Sequence, residues 1–232
     1  MSRDRQFDHV IFDWNGTVVD DVALAVRALN KVRAEQGLSL LTIDEYRQNF
    51  GFPIEEFYRR IGFDLGKTPF ADLARSYLAV FNPDVLACET HAGVDLILAA
   101  AQRANAKTWV LSASHEDILL RDARQRGLHD AFEAIAGLAD NEAAGKEAIA
   151  IRLDERMGSP GPRALLVGDT LHDAEIARSR SWSCILVPNG HQSISHLATA
   201  CVTVAKSLGE VARHIDSTPS GEGGRPCSMS IG

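Results

Sequence analysis

The chain has 232 residues, 45% apolar and 24% charged, with a formal net charge of −7. This is the composition of a globular chain, long enough to bury about three quarters of its unfolded surface as one domain or as a domain with a smaller companion. The acid excess disfavours non-specific nucleic-acid binding, and no apolar run is long enough to mark a membrane span.

The polar start, Met1 to Gln6, carries no signal-peptide apolar core. A first strand is expected over residues 8–13, with a turn from Trp14 to Asp21. From Val22 to Gln36 the apolar residues Val22, Ala25, Val26, Leu29 and Val32 recur at helical spacing, and Gly37 ends the run. Residues 42–90 continue as helical patterns broken by Gly51-Phe52-Pro53, Gly62, Gly66 to Pro69 and Asn82-Pro83, with no β-alternation. This predicts a small helical unit inserted after the first strand. Next come a helix over 93–104, a strand over 107–111, a helix over 115–126 and a short strand from Phe132 to Leu138. A helix from Lys146 to Met157, a strand from Ala164 to Val167 and a helix from Asp173 to Ser179 follow. The last elements are strands from Cys184 to Val187 and Val202 to Val204. Alternating strands and helices imply an α/β fold, a Rossmann-like parallel sheet with helices on both faces. The expected division is a core of residues 1–20 and 91–216, a helical cap of residues 21–90 and a flexible tail of residues 217–232. The tail is rich in Gly, Pro and Ser and too poor in apolar residues to offset its ordering entropy. Cys88, Cys184, Cys201 and Cys227 form no Cys-x-x-Cys pair, which argues against a zinc site or disulfide framework. A reduced cytoplasm is the expected location.

The chemistry is concentrated at strand ends. Val10-Ile11-Phe12 runs straight into Asp13-Trp14-Asn15-Gly16-Thr17, and Leu165-Leu166-Val167 into Gly168-Asp169-Thr170-Leu171-His172-Asp173. In open α/β folds ligands bind outside the carboxyl ends of the strands. Two such aspartates in Gly/Thr contexts suggest one divalent-metal site assembled from distant parts of the chain. Trp109-Val110-Leu111 ends in Ser112-Ala113-Ser114, and Lys146 opens a helical run.

This order of Asp, Ser, Lys and Gly-Asp-x-x-x-Asp resembles the four motifs of the haloacid dehalogenase superfamily of aspartate-nucleophile hydrolases, over roughly residues 7 to 205. The resemblance implies a Mg²⁺-dependent phosphatase acting on a small phosphorylated metabolite, with phosphoglycolate-phosphatase-like members as the nearest pattern. Asp13 is then the nucleophile, taking the phosphoryl group as an aspartyl-phosphate. Asp13 and Asp169 supply carboxylate oxygens to Mg²⁺, the main-chain carbonyl of Asn15 is a third ligand, and Asp173 holds a metal-bound water. Trp14, Gly16, Thr17, Ser112, Ala113 and Lys146 surround the phosphoryl group, with the Ser112 hydroxyl and nearby backbone N–H groups donating to its oxygens. Asn49 to Pro53 resembles the family's substrate-facing loop, with Arg47, Arg59 and Arg60 as candidates for an anionic tail, although a solvated helix face is the favoured reading of each.

Asn15 departs from the pattern. Most phosphatases of the family carry Asp there, which protonates the leaving oxygen and later activates water. Asn has no proton to exchange, and general acid–base help is worth about 10²–10⁴-fold. Leaving groups of low pKa would tolerate the loss, and His115 and His172 are candidate substitutes, although exposed loop histidines are the favoured reading of each. Two alternatives stay open: a phosphate-binding or regulatory module without turnover, and a carbon–phosphorus hydrolase. The second shares the Trp after the nucleophile, but Ile54 stands where its Schiff-base lysine would be, and Lys31 and Lys67 are elsewhere. Dehalogenation fits poorly because those relatives usually lack the Gly-Asp-x-x-x-Asp motif.

Overall fold

The computed structural model describes residues 6–139 and 145–217. The expected tail lies outside the described residues apart from Ser217. Among these residues six parallel strands form one sheet. They are β1 (His9–Phe12), β2 (Lys107–His115), β3 (Ala134–Leu138), β4 (Ala164–Gly168), β5 (Ser183–Leu186) and β6 (Thr203–Val204). The spatial order is β3-β2-β1-β4-β5-β6. In register, Phe12 lies opposite Val110 of β2 on one side and Val167 of β4 on the other.

Both faces of the sheet are covered. Val10 and Phe12 enter one apolar layer with residues of α5 (Val94–Arg103), α6 (Glu116–Gln125) and α10 (Leu208–Asp216). Ile11 enters the opposite layer with α7 (Gly145–Met157) and α8 (Leu171–Ser179). Burial on both sides is why the central strands read as unbroken apolar runs rather than as an alternation. From β1 the chain winds outward through β2 and β3, then returns to β4 on the other side of β1. That reversal is the switch point at which α/β sheets open a ligand crevice.

Between β1 and α5 stand α1 (Val22–Glu35), α2 (Ile43–Asn49), α3 (Ile54–Arg60) and α4 (Phe70–Asp84). They bury their own apolar cluster, which includes Leu29, Tyr46, Phe57, Tyr58, Leu73 and Phe81. The Thr42–Glu45 capping box fixes the start of α2. Two adjacent segments join this unit to the sheet: the Asp20 N–H donates to the Glu89 carbonyl and the His91 N–H to the Val18 carbonyl, each at 2.9 Å.

Several elements differ from expectation. β2 runs on to His115 rather than ending at Leu111, with a register shift in that stretch that carries Ser112 to Ser114. Asn82-Pro83 does not break α4, because the proline falls in the last turn, where little helix remains to disrupt. The strand expected from Phe132 begins at Ala134. Helices α9 (Ile194–Leu197) and α10 were not anticipated. The signal for α10 was present, since Leu208, Val211, Ala212 and Ile215 follow helical spacing and all are buried. No helix among the described residues is long and apolar enough to cross a membrane.

Candidate active site

The floor of the site is acidic. β1 delivers Asp13, whose N–H extends the ladder by donating to the Val167 carbonyl at 2.9 Å. β4 delivers Asp169, and the first turn of α8 delivers Asp173. All three are buried, and ligand atoms of the three lie within 4.8 Å of one another. Lys146, buried in the first turn of α7, donates to Asp13 Oδ1 at 2.5 Å and to Asp173 Oδ1 at 2.6 Å.

The charges do not balance: three carboxylates face one ammonium. Burial raises Asp13 well above the usual carboxylate range despite Lys146, and burial likewise raises Asp169. Burial also pushes on Asp173, but Lys146 and the Thr170 bond hold it below its ordinary value. For Lys146 the two carboxylates outweigh burial and raise its pKa. A buried cluster of hard oxygen donors with surplus negative charge fits a divalent cation such as Mg²⁺.

Thr17 is fully buried and donates from Oγ1 to Asp169 Oδ1 at 3.0 Å, so its side chain orients a carboxylate. Trp14 sends its indole away from the floor: Nε1–H donates to Asp122 Oδ2 at 2.8 Å, and the ring packs edge-on against Phe132. Gly16 has φ +77°, and a Cβ there would collide with the Asp169 carboxylate and the His191 ring, so the turn after the first aspartate has no room for a side chain. Ser112 is buried, with its Oγ accepting the Ser114 N–H at 3.0 Å. Ser112 and the exposed Ala113 both line the cavity above the floor.

The Asn15 amide is fixed at both ends. Its Nδ2 donates to Asp21 Oδ2 at 2.8 Å, and its Oδ1 accepts from the Ser114 hydroxyl at 2.7 Å. Sequence reasoning did not foresee the group behind it. Asp21 also accepts the Gly16 N–H at 2.8 Å and lies 3.3 Å from His191 Nε2. His191 Nδ1 is 2.9 Å from the Tyr46 hydroxyl, and the His191 main-chain N–H donates to Asp169 Oδ2 at 2.6 Å. Burial lowers the imidazole pKa, but Asp21 and the floor carboxylates outweigh it and bring it to about 9. Burial raises Asp21, and its bonds with His191, Asn15 and Gly16 hold it below the usual range. The pair is therefore an imidazolium–carboxylate at neutral pH. A usable signal existed, because Asn189-Gly190-His191 comes just after Val187-Pro188 beyond the end of the fifth strand, at the ligand-binding edge of the sheet.

The two histidines considered as substitutes diverge. His115 caps α6, accepting the Asp117 N–H at 3.3 Å, and lines the cavity. His172 lies between Glu147 and Glu175, at 3.4 and 3.5 Å, under a stacked Phe52 ring whose centroid is 4.5 Å away.

Above the floor a cavity of about 670 Å³ extends to the helical unit. The loop Asn49 to Pro53 contributes Phe50 and Phe52 to its lining. Gln192 ties this loop down, donating to the Phe50 carbonyl at 3.0 Å and accepting the Leu171 N–H at 2.7 Å. The three candidate arginines are engaged elsewhere. Arg47 donates to the carbonyls of Gly190 and Asn189 at 2.8 and 3.0 Å, Arg59 pairs with Glu55 and Glu56, and Arg60 donates to the Asn49 carbonyl. None of them lines the cavity, and Lys146 is the one lysine among the described residues that does.

The family model described as haloacid dehalogenase-like hydrolase matches residues 10–187. Solved structures share the fold. A predicted phosphatase from Clostridium acetobutylicum is 18% identical, with 90% of this chain and 98% of that one covered, at a TM-score of 0.77. Protein Tyrosine Kinase A from Mycobacterium tuberculosis is 22% identical, covering 91% and 99%, at 0.76. A mutant of CbbY from Rhodobacter sphaeroides in complex with xylulose-(1,5)bisphosphate is 26% identical, covering 88% and 96%, at 0.65. No curated protein sequence matches the chain at a significant level. Shared architecture alone does not fix the chemistry.

Proposed function

The chain belongs to the haloacid dehalogenase-like hydrolase family, and within it we propose that this protein is a Mg²⁺-dependent phosphohydrolase with Asp13 as nucleophile, acting on a small phosphorylated metabolite. The observation that carries the reading is the buried cluster of Asp13, Asp169 and Asp173 bridged by Lys146 at the switch point of the sheet. In this reading Asp13, Asp169 and the Asn15 carbonyl would hold the metal, with the Asp173 carboxylate beside them. The metal supplies charge neutralisation at the phosphoryl oxygens.

Asp13 forms the new P–O bond, and the leaving oxygen takes the electron pair of the bond that breaks. Water then releases phosphate from the aspartyl-phosphate and returns Asp13. The transition state is loose, so positioning and charge compensation dominate. Lys146 and the Ser112 hydroxyl meet the phosphoryl oxygens, helped by the backbone N–H groups of Trp14 and Ala113, while the Gly16 N–H is spent on Asp21 and the Thr17 N–H on the Trp14 carbonyl. The helical unit acts as a cap over the site. Asn15 gives no proton, so departure depends on the leaving group's own acidity. Cys88 and Cys184 remain thiols, which supports a reducing, cytoplasmic setting.

A second reading is favoured by one observation. The amide of Asn15 is pinned by Asp21 and Ser114, which also suits a phosphate-binding protein without turnover. Phosphate release across esters, acyl phosphates and phosphonates, with Mg²⁺ and with EDTA, separates the two. Metal-dependent release from esters or acyl phosphates supports the hydrolase. Phosphate binding without release from any substrate supports the second reading.

A further inference from the structure

The cavity above Asp13 changes character with distance from the floor. Its outer walls come largely from the helical unit and α6, with Leu29, Phe57, Tyr58, Tyr77, Phe81 and Ile118 among them. At about 670 Å³ it lies within the roughly 300–1,000 Å³ of pockets that enclose drug-sized ligands. A bare phosphate with a two-carbon tail would leave much of it unfilled.

Among the described residues no lining lysine or arginine is spare to meet a second anion, and the lining imidazole of His115 caps α6 through its Nδ1. Lys146 is committed to Asp13 and Asp173. His191 is committed to Asp21. The lining carboxylate of Asp122 is bonded to Arg126 and to the Trp14 indole. A carboxylate or second phosphate on the substrate's tail would be desolvated among aromatic rings without a counter-charge, which is strongly unfavourable. The polar groups the outer cavity does offer are neutral. Burial raises the pKa of Tyr58 and of Tyr77, so both phenols stay protonated, and no hydrogen bond within the described residues engages either hydroxyl.

We propose that this cavity takes an uncharged aryl leaving group, so that the substrate is a phosphate monoester of a substituted phenol, rather than a phosphorylated acid or a bisphosphate. The proposal rests on the phosphohydrolase reading above. It joins two independent observations: aromatic walls with no spare lysine or arginine among the described residues, and an Asn at the position that would otherwise protonate the leaving oxygen. In the step, Asp13 forms a P–O bond while the phosphorus–aryl-oxygen bond breaks. The electron pair goes to the phenolate, which needs little proton assistance, and water then hydrolyses the aspartyl-phosphate to inorganic phosphate.

The test compares kcat/KM, with Mg²⁺ present, for phenyl phosphate and 2-naphthyl phosphate, whose phenols are of similar acidity. Acetyl phosphate, phosphoglycolate and a sugar bisphosphate complete the panel. Burying apolar surface is worth about fourfold per methylene equivalent, so the second ring should raise kcat/KM by at least about tenfold. Both aryl esters should exceed phosphoglycolate and the bisphosphate. Filling the α4 wall with Ala74→Trp, or with Leu78→Trp if the first variant folds poorly, should bring the naphthyl-to-phenyl ratio to one or below. Phosphate release that favours phosphoglycolate or the bisphosphate, or is indifferent to the second ring, overturns the aryl proposal and leaves the phosphohydrolase standing. Absence of release from every compound, acetyl phosphate included, overturns the phosphohydrolase reading and the proposal with it.

Discussion

The floor and the outer wall of the cavity solve opposite problems. The floor crowds Asp13, Asp169 and Asp173 around Lys146, with every carboxylate buried. It is held by the sheet: two of the three acids follow adjacent parallel strands in fixed register. The wall is built from helices that pack around aromatic rings, and it offers the substrate neutral surface. The comparison teaches that charge recognition here is confined to the floor. Tail recognition has to come from shape and apolar contact. Asn15 sits at the boundary, bonded on one side to Asp21 and on the other to Ser114, and it withholds from the wall side the proton that a carboxylic acid would supply.

The largest break in this comparison comes from removing charge from the floor. Asp169→Asn replaces the proposed charged oxygen ligand by a neutral amide and sets its NH₂ against one of two donors, the Thr17 hydroxyl or the His191 N–H. Mg²⁺ affinity, measured by titration calorimetry, should fall by more than the roughly 10–100-fold that follows loss of an outer-shell partner. Unchanged affinity would remove Asp169 from the metal site. Asn15→Asp acts at the boundary. The new carboxyl would face Asp21, and like charge favours its protonated form, so it should serve as an acid. Hydrolysis of alkyl phosphates should rise by about 10²–10⁴-fold, with a smaller gain for aryl phosphates. A rate series against leaving-group pKa that is flat in the Asn15 protein and unchanged by Asn15→Asp would mean that another group delivers the proton, His115 first.

The smallest effect is on stability. His191 has an ordinary pKa of 6.5 and a folded value of about 9. A raised folded pKa gives stability that is complete below pH 6.5, declines between 6.5 and 9 as the ring deprotonates, and is absent above. The contribution is about 3 kcal/mol at most, and His191→Gln should flatten the curve. Urea midpoints across this range measure it. A wild-type profile that rises with pH through the window would contradict the Asp21–His191 ion pair.

The central strands and the acids at their ends were legible because a doubly covered parallel sheet forces long apolar runs and a carboxylate stands out where a run stops. Asp21 and His191 were not, since each is an ordinary loop residue until tertiary packing sets one beside the other, 170 positions apart. The arginines stood open between a substrate contact and a solvated helix face for the converse reason. A basic residue near a substrate loop looks available in one dimension, while in three Arg47 is spent on the carbonyls of Asn189 and Gly190. The aromatic wall was hidden because Phe57 and Tyr58 sit on α3 and Tyr77 and Phe81 on α4, two helices whose spacing reads equally well as simple core.

The most direct measurement of the central claim is to trap the enzyme during turnover of an aryl phosphate and locate the phosphoryl group. Without a carboxylate at position 15 to activate water, the aspartyl-phosphate should accumulate. Acid quenching followed by borohydride reduction and peptide mass spectrometry should then find the reduced residue at Asp13, and the label should be absent from Asp13→Ala. Turnover with no labelled enzyme in Asn15 protein, or a label on any other residue, would contradict the account.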